Sequence, residues 1–227
     1  MCGRFQLSVK GKQISERFNV EVFDEMYSPS YNCAPSQKHA VITNDKPEEL
    51  SFLKWGLIPF WSKEAAIGNK LINARAESIL DKPAFKTAFS KRRCLIPANG
   101  FYEWRRDGKN KTAFRIFLKT DKLFAMAGIW DKWKGIEGRE INTFSIITTQ
   151  PNDIMKPIHN RMPVILNDYD EKAWLFENDT RYLQQLLQPF NKDLMQTYVI
   201  SNRVNSPINN GPEIIEEYTN PQSSLGF

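Results

Sequence analysis

The second residue of this chain is a cysteine, in the run Met1-Cys2-Gly3-Arg4-Phe5, and removal of Met1 makes it N-terminal. A cysteine there carries a free α-amine and a thiol on adjacent carbons. An internal cysteine lacks that pairing because its nitrogen is tied up in an amide. The amine condenses with an aldehyde to an imine, and the neighbouring sulfur then closes a thiazolidine ring, a step favoured by the high effective molarity of a tethered nucleophile. With reference pKa values of about 8 for the amine and about 8.5 for the thiol, both groups are partly reactive near neutral pH. A cysteine behind the initiator is by itself ordinary for a flexible terminus, so the reading depends on partners elsewhere.

Such partners are few. The chain holds two histidines, His39 and His159, and three cysteines, Cys2, Cys33 and Cys94, with no C-x-x-C pair. That set argues against a disulfide framework or a structural zinc and for a reducing compartment. Glu103 stands between Tyr102 and Trp104; a strand glutamate is by default a solvated acid, but aromatic neighbours raise its pKa by desolvation and suit it to proton transfer near pH 7. Arg161, two residues after His159, is the kind of group that a phosphate or carboxylate site wants close by. Trp61, after Ile58-Pro59-Phe60 on an expected loop, offers a face that stacks on any base, and Pro35 is a second candidate wedge between bases. Trp55, Trp104 and Trp130 read as core, and His39 as a structural histidine.

The elements that must hold these groups follow from the apolar pattern. Lys12 to Phe18 reads as a short helix and 19–36 as loop; Glu49 to Trp55 alternates as a strand. Arg93 to Ala98 and Phe101 to Arg105 flank Asn99-Gly100, which predicts a tight hairpin. Ala113 to Lys119, Lys122 to Trp130 and Asn142 to Thr149 continue it as a meander. Helices are expected at Asp168 to Phe176 and Thr180 to Leu187, then a last strand near Thr197 to Ser201. The fold class is therefore α+β, one domain over residues 1–227 around a curved, mostly antiparallel sheet with peripheral helices.

Composition bounds the class. The 227 residues are 41% hydrophobic and 25% charged, enough for one large core in a soluble protein. No run approaches the roughly 20 apolar residues of a membrane span, and the start lacks a secretory apolar region. A cytoplasmic protein is expected, nucleoid-associated if bacterial, with no membrane partner. The net charge of +5 leans toward a polyanion.

Five further clusters join the Cys-Gly-Arg-Phe start: Tyr31-Asn32-Cys33-Ala34-Pro35; 55–61, Trp-Gly-Leu-Ile-Pro-Phe-Trp; Asn73-Ala74-Arg75-Ala76-Glu77; the stretch 93–104 ending Asn-Gly-Phe-Tyr-Glu-Trp; and His159-Asn160-Arg161-Met162-Pro163. In that order they closely resemble the SRAP family, the abasic-site processing proteins also known as SOS-response-associated peptidases. The match runs from Cys2 to about Pro163 and more loosely through 204–211. The resemblance implies that Cys2 captures the ring-opened aldehyde of an abasic site in single-stranded DNA as a thiazolidine crosslink, with β-elimination of the 3′ phosphate (AP lyase activity) as a side reaction. It makes Glu103 the general acid/base, His159 the group that assists imine formation and elimination, and Asn73 an amide that orients Cys2 and the sugar. Arg4, Arg75 and Arg161, all at motif positions, become a DNA-backbone track beside Pro35 and Trp61. Thr148, a strand threonine eleven residues before His159, is added from its own hydroxyl as a further hydrogen-bonding group in the site. No metal or organic cofactor is implied, and nothing demands more than a monomer. Cys33 departs from the valine common in the family; it and Cys94 read as buried and inert. Two alternatives stand beside the crosslinking enzyme. One is a thiol peptidase, a hydrolase using Cys2, Glu103 and His159 on peptides or only on its own Met1-Cys2 bond. The other is a non-catalytic single-stranded DNA-binding module.

Overall fold

A computed structural model of the chain describes residues 2–135 and 138–218; Met1, whose removal the aminothiol requires, lies outside them. The strands are β1 (Phe5–Leu7), β2 (Ser30–Cys33), β3 (Lys38–Thr43), β4 (Lys46–Trp55), β5 (Asn73–Arg75), β6 (Arg93–Ala98), β7 (Gly100–Asp107), β8 (Asn110–Leu118), β9 (Phe124–Lys134), β10 (Glu140–Thr149), β11 (Met162–Pro163) and β12 (Met195–Ile200). The helices are α1 (Gly11–Phe18), α2 (Pro83–Lys91), α3 (Glu171–Phe176) and α4 (Thr180–Gln185). Strand pairing is antiparallel except where β10 runs alongside β4 and β5. The expected α+β class and mostly antiparallel sheet are therefore present.

Two sheets divide the strands. One has the order β12-β8-β7-β1-β2, the other β11-β10-β4-β3-β6-β9. Because β9 also pairs along β10, from Glu140↔Lys134 to Ile146↔Gly128, strands β10, β4, β3, β6 and β9 close into a ring. Closure leaves this sheet no free edge in that circuit. Gly128 is needed at the closure point, since a Cβ there would lie 2.3 Å from Ile96 and 2.8 Å from the Cys94 sulfur. Cys94, which pairs with Gly128 across β6 and β9, is buried and forms no disulfide.

The Asn99-Gly100 hairpin is not formed. Strand β6 pairs with β3 and β9, whereas β7 pairs with β1 and β8, so this dipeptide carries the chain from one sheet to the other. Asn99 donates its N–H to Gln6 O at 3.0 Å and accepts from Ser8 N–H at 3.0 Å. Gly100 has no left-handed φ; what it supplies is room, because a Cβ would sit 2.8 Å from Gln6 Oε1. The tight hairpin lies further on, at Asp107↔Asn110, with Gly108 at φ +59°. The meander is likewise broken, since β8 and β9 belong to different sheets.

Helix α1 starts one residue before its predicted span and ends at Asn19, which takes φ 53°. The stretch read as loop contains β2, and α2, opened by Pro83, falls where no helix was predicted. The expected 168–176 helix begins as a 3-10 turn at Asp168–Asp170 and becomes α3. Asp179 caps α4 by accepting from Arg181 N–H at 2.9 Å.

Candidate active site

Phe5 anchors the start of the chain. It is fully buried, with its ring 5.4 Å from Trp55 and 5.2 Å from His39, and Trp55 in turn stacks on Phe144 at 6.1 Å. Trp55 does a second job: its indole N–H donates to Ile72 O at 2.8 Å and so places the head of β5. Gly56 follows at φ +126°, and a Cβ there would strike Gly68 O at 2.6 Å, so glycine is required where the chain leaves the ring.

These anchors bring Cys2 and Asn73 together. Asn73 Nδ2 donates to Cys2 O at 2.8 Å, while Asn73 Oδ1 is buried with no hydrogen-bond partner among the described residues. An unsatisfied amide oxygen of that kind is an acceptor held ready for a ligand. Cys2 is fully buried, its sulfur 3.8 Å from Arg4 O. Burial, helped by the charge of Glu103, pushes the thiol pKa up to about 12. Glu103 reaches the thiol because β7 pairs with β1 at Phe101↔Phe5 and Tyr102 donates to Arg4 O, which sets the next β7 residue beside the Cys2-Gly3 start. Its carboxyl is buried rather than solvated, and burial raises its pKa.

His159 sits at the far end of β5. Arg75, Gln150, His159, Asn160 and Arg161 line an open cavity of about 480 Å³. Asn73 and Arg75 are the two ends of the same three-residue strand, about 7 Å apart at a rise of about 3.3 Å per residue, so one short strand carries both the partner of Cys2 and a wall of the cavity. Arg106 of β7 adds its positive charge to the field on His159, whose pKa burial lowers. The ring accepts at Nδ1 from Arg161 N–H at 3.0 Å.

The three arginines differ. Arg75 is exposed and faces the cavity. Arg4 donates to Asn32 Oδ1 and Val204 O at 2.7 Å each, and burial lowers its pKa, so much of its donor capacity ties the chain start to the C-terminal segment. Arg161 is only 7% exposed and grips Glu77 with both terminal nitrogens. An unbroken phosphate track of three free guanidinium groups is therefore not what the fold presents. Thr148 is buried at the same junction, 3.4 Å from Arg161 and paired across to Arg75. Pro35 and the half-exposed Trp61 lie on loops; the Pro35 turn is joined to the segment after Trp61 by Ser36 Oγ donating to Asn69 at 3.4 Å.

Sequence reading missed Glu77, which was quoted only as part of a motif; an acid two residues beyond Arg75 was the available signal. It also missed the exposed basic residues of the β7–β8 hairpin, Arg105, Arg106, Lys109 and Lys111. Trp55 and Trp130 are core as expected, but Trp104 is partly exposed, donates to Asn205 at 2.8 Å and carries Lys111 over its ring at 4.7 Å. His39 is structural as expected, its Nε2 2.7 Å from Ala34 O.

Comparison with known proteins gives a consistent set of relatives. The family model described as SOS response associated peptidase (SRAP) matches residues 1–207. The abasic site processing protein YoqW of Bacillus subtilis is 50% identical over 224 residues, covering 96% of this chain and all of that one. The abasic site processing protein HMCES of Gallus gallus is 33% identical over 225 residues, covering 83% of this chain and 66% of its own length. A crystal structure of a Bacteroides thetaiotaomicron protein, 33% identical, superposes with a TM-score of 0.89 over 96% of this chain and all of that one.

Proposed function

The chain belongs to the SRAP family, and from that premise we propose that it processes abasic sites in single-stranded DNA by forming a thiazolidine crosslink through Cys2 once Met1 is removed. The observation that carries this reading is the meeting of Cys2, Asn73 and Glu103 beside the His159 cavity.

The proton traffic closes on one carboxyl group. The freed amine adds to the sugar aldehyde to give a carbinolamine. Glu103, whose burial raises its pKa and so favours the protonated form over an ordinary carboxylate, gives its proton to the hydroxyl, and water leaves an iminium ion. The thiol then adds to the iminium carbon and passes its proton back to the Glu103 carboxylate, so aldehyde plus aminothiol become thiazolidine plus water. Asn73 Oδ1 is the acceptor for the amine N–H or a sugar hydroxyl. Loss of the 3′ phosphate from the iminium stage is the competing lyase outcome. Arg75 and the Trp61 loop supply phosphate and stacking contacts to an exposed strand in the cytoplasm. The alternative of a thiol peptidase would draw on the same Cys2 and Glu103, and cleavage of an unrelated peptide by the processed protein would favour it.

Protein whose N-terminus is proven to be cysteine, incubated with a single strand bearing one abasic site, is expected to give a heat-stable covalent shift that Cys2→Ala abolishes. No shift from that material, or one that persists in Cys2→Ala, overturns the proposal.

A further inference from the structure

Arg161 stands at a motif position for a DNA contact, yet both its terminal nitrogens are occupied by the Glu77 carboxylate, and one of them also donates to Thr148 O. Glu77 receives a further bond from Gln150 at 3.2 Å, and the Arg161 guanidinium holds its carboxyl below the usual range, so it is ionised at neutral pH. This clamp ties the 3-10 turn after β5 (Ala76–Ser78) to the turn that carries the imidazole. The main chain of Arg161 meanwhile donates to His159 Nδ1. A backbone N–H can only give a proton, so Nδ1 must present its lone pair, and the one proton of a neutral ring must sit on Nε2. Protonating Nδ1 would set two N–H groups against each other. The cations near the ring, Arg106 and Arg161, oppose a second proton as well.

We infer that Glu77 is a positioning residue: by clamping Arg161 it holds the 159–161 turn so that His159 stays neutral and offers Nε2–H as a hydrogen-bond donor to the site. On the crosslinking reading, on which the role of this donor rests, His159 polarises the sugar oxygen without surrendering a proton, and Glu103 alone carries protons. A neutral imidazole serving as electrophile is an established catalytic arrangement.

The chain has only two histidines, which makes the test direct. Nitrogen-15 spectra of the imidazoles in DNA-free protein should show His159 as one tautomer, protonated at Nε2, with His39 as the internal monitor of an intact fold. In Glu77→Ala, His159 should become a mixture of tautomers with a raised pKa while the His39 signals stay put, and crosslinking should slow by about tenfold to a hundredfold. Glu77→Gln, which keeps one acceptor for Arg161, should recover part of both. Affinity for undamaged single strand should change less than twofold. An unaltered His159 tautomer in Glu77→Ala overturns the inference. So does tighter binding of undamaged DNA with crosslinking intact, which would make Glu77 a brake on an Arg161 phosphate contact. If the clamp mutant unfolds, the Glu77→Gln spectra decide: a tautomer mixture with unchanged His39 signals supports the inference, and a pure Nε2–H form at wild-type pKa overturns it. The tautomer readout needs no DNA, so failure of the crosslinking proposal is seen separately.

Discussion

A carboxyl group that gives up a proton and takes it back within one turnover must not be tightly committed to either form, and Glu103 meets that requirement by being buried. Replacing it with glutamine keeps the shape and removes the titration. Crosslinking by Glu103→Gln should be slowed by about a hundredfold or more in gel-shift time courses. The wild-type rate should also fall as pH rises through the raised carboxyl pKa, a limb absent from the variant. Cys2, Asn73 and Glu103, singled out in the sequence by residue type and motif place, are residues that the fold brings close to one another. What Arg4 and Arg161 do was not legible, because it depends on partners 200 and 84 positions away, Val204 and Glu77. Nothing local to a guanidinium says whether the fold will supply it with a carboxylate.

Among the elements, one buried side chain settles how the helices meet the ring. Arg93, at the start of β6, donates to Phe89 O and Ser90 O at the end of α2 and to Trp174 O, Leu175 O and Glu177 O at the end of α3. These are carbonyls that a helix C-terminus cannot satisfy internally. Arg93→Met should therefore lower unfolding free energy by about 3 kcal/mol or more, read as a shift in the denaturant midpoint. The two glycines flanking β7 separate two kinds of constraint. Gly108→Ala should cost only about 1 kcal/mol of stability, from the left-handed φ. Gly100→Ala should also slow crosslinking, because the added carbon presses on Gln6 in the strand that leads back to Cys2. Most strands were legible from alternation, but the Asn99-Gly100 hairpin was not a safe inference. Its preference for a tight turn is worth less than the bonds Asn99 makes to Gln6 and Ser8, which no local pattern reveals.

For the molecule as a whole, charge and acid sensitivity are separable. The excess positive charge favours DNA, but the fold leaves only part of it free near the site. Arg75→Ala should reduce the slope of log affinity against log salt by about 0.7 for a single strand, with little change in stability. Arg161→Ala should do the reverse, destabilising the fold because the buried Arg161 side chain holds both Thr148 O and Glu77. His39 sets an acid limit. Burial lowers its pKa from 6.5 to about 4, so the folded state favours the neutral ring. That contribution is complete above pH 6.5 and is lost as pH falls toward 4, amounting to about 3 kcal/mol. His39→Gln, which keeps an N–H for Ala34 O, should flatten stability against pH across that window. The class of fold was readable from strand-rich patterning, whereas closure of the ring was not, since it depends on β9 finding β10 and β6 at once.

The bond from Arg4 to Val204 also carries a meaning in time. Protein synthesis runs from the reactive end toward the segment that fastens it, so the ribosome releases Cys2 long before its clasp exists. On the crosslinking proposal, an enzyme that trims Met1 would find an open tether during that interval; in the folded chain Cys2 is buried. Ripening of the proposed nucleophile would then belong to translation, and a chain cut short before Val204 would leave Cys2 without that fastening.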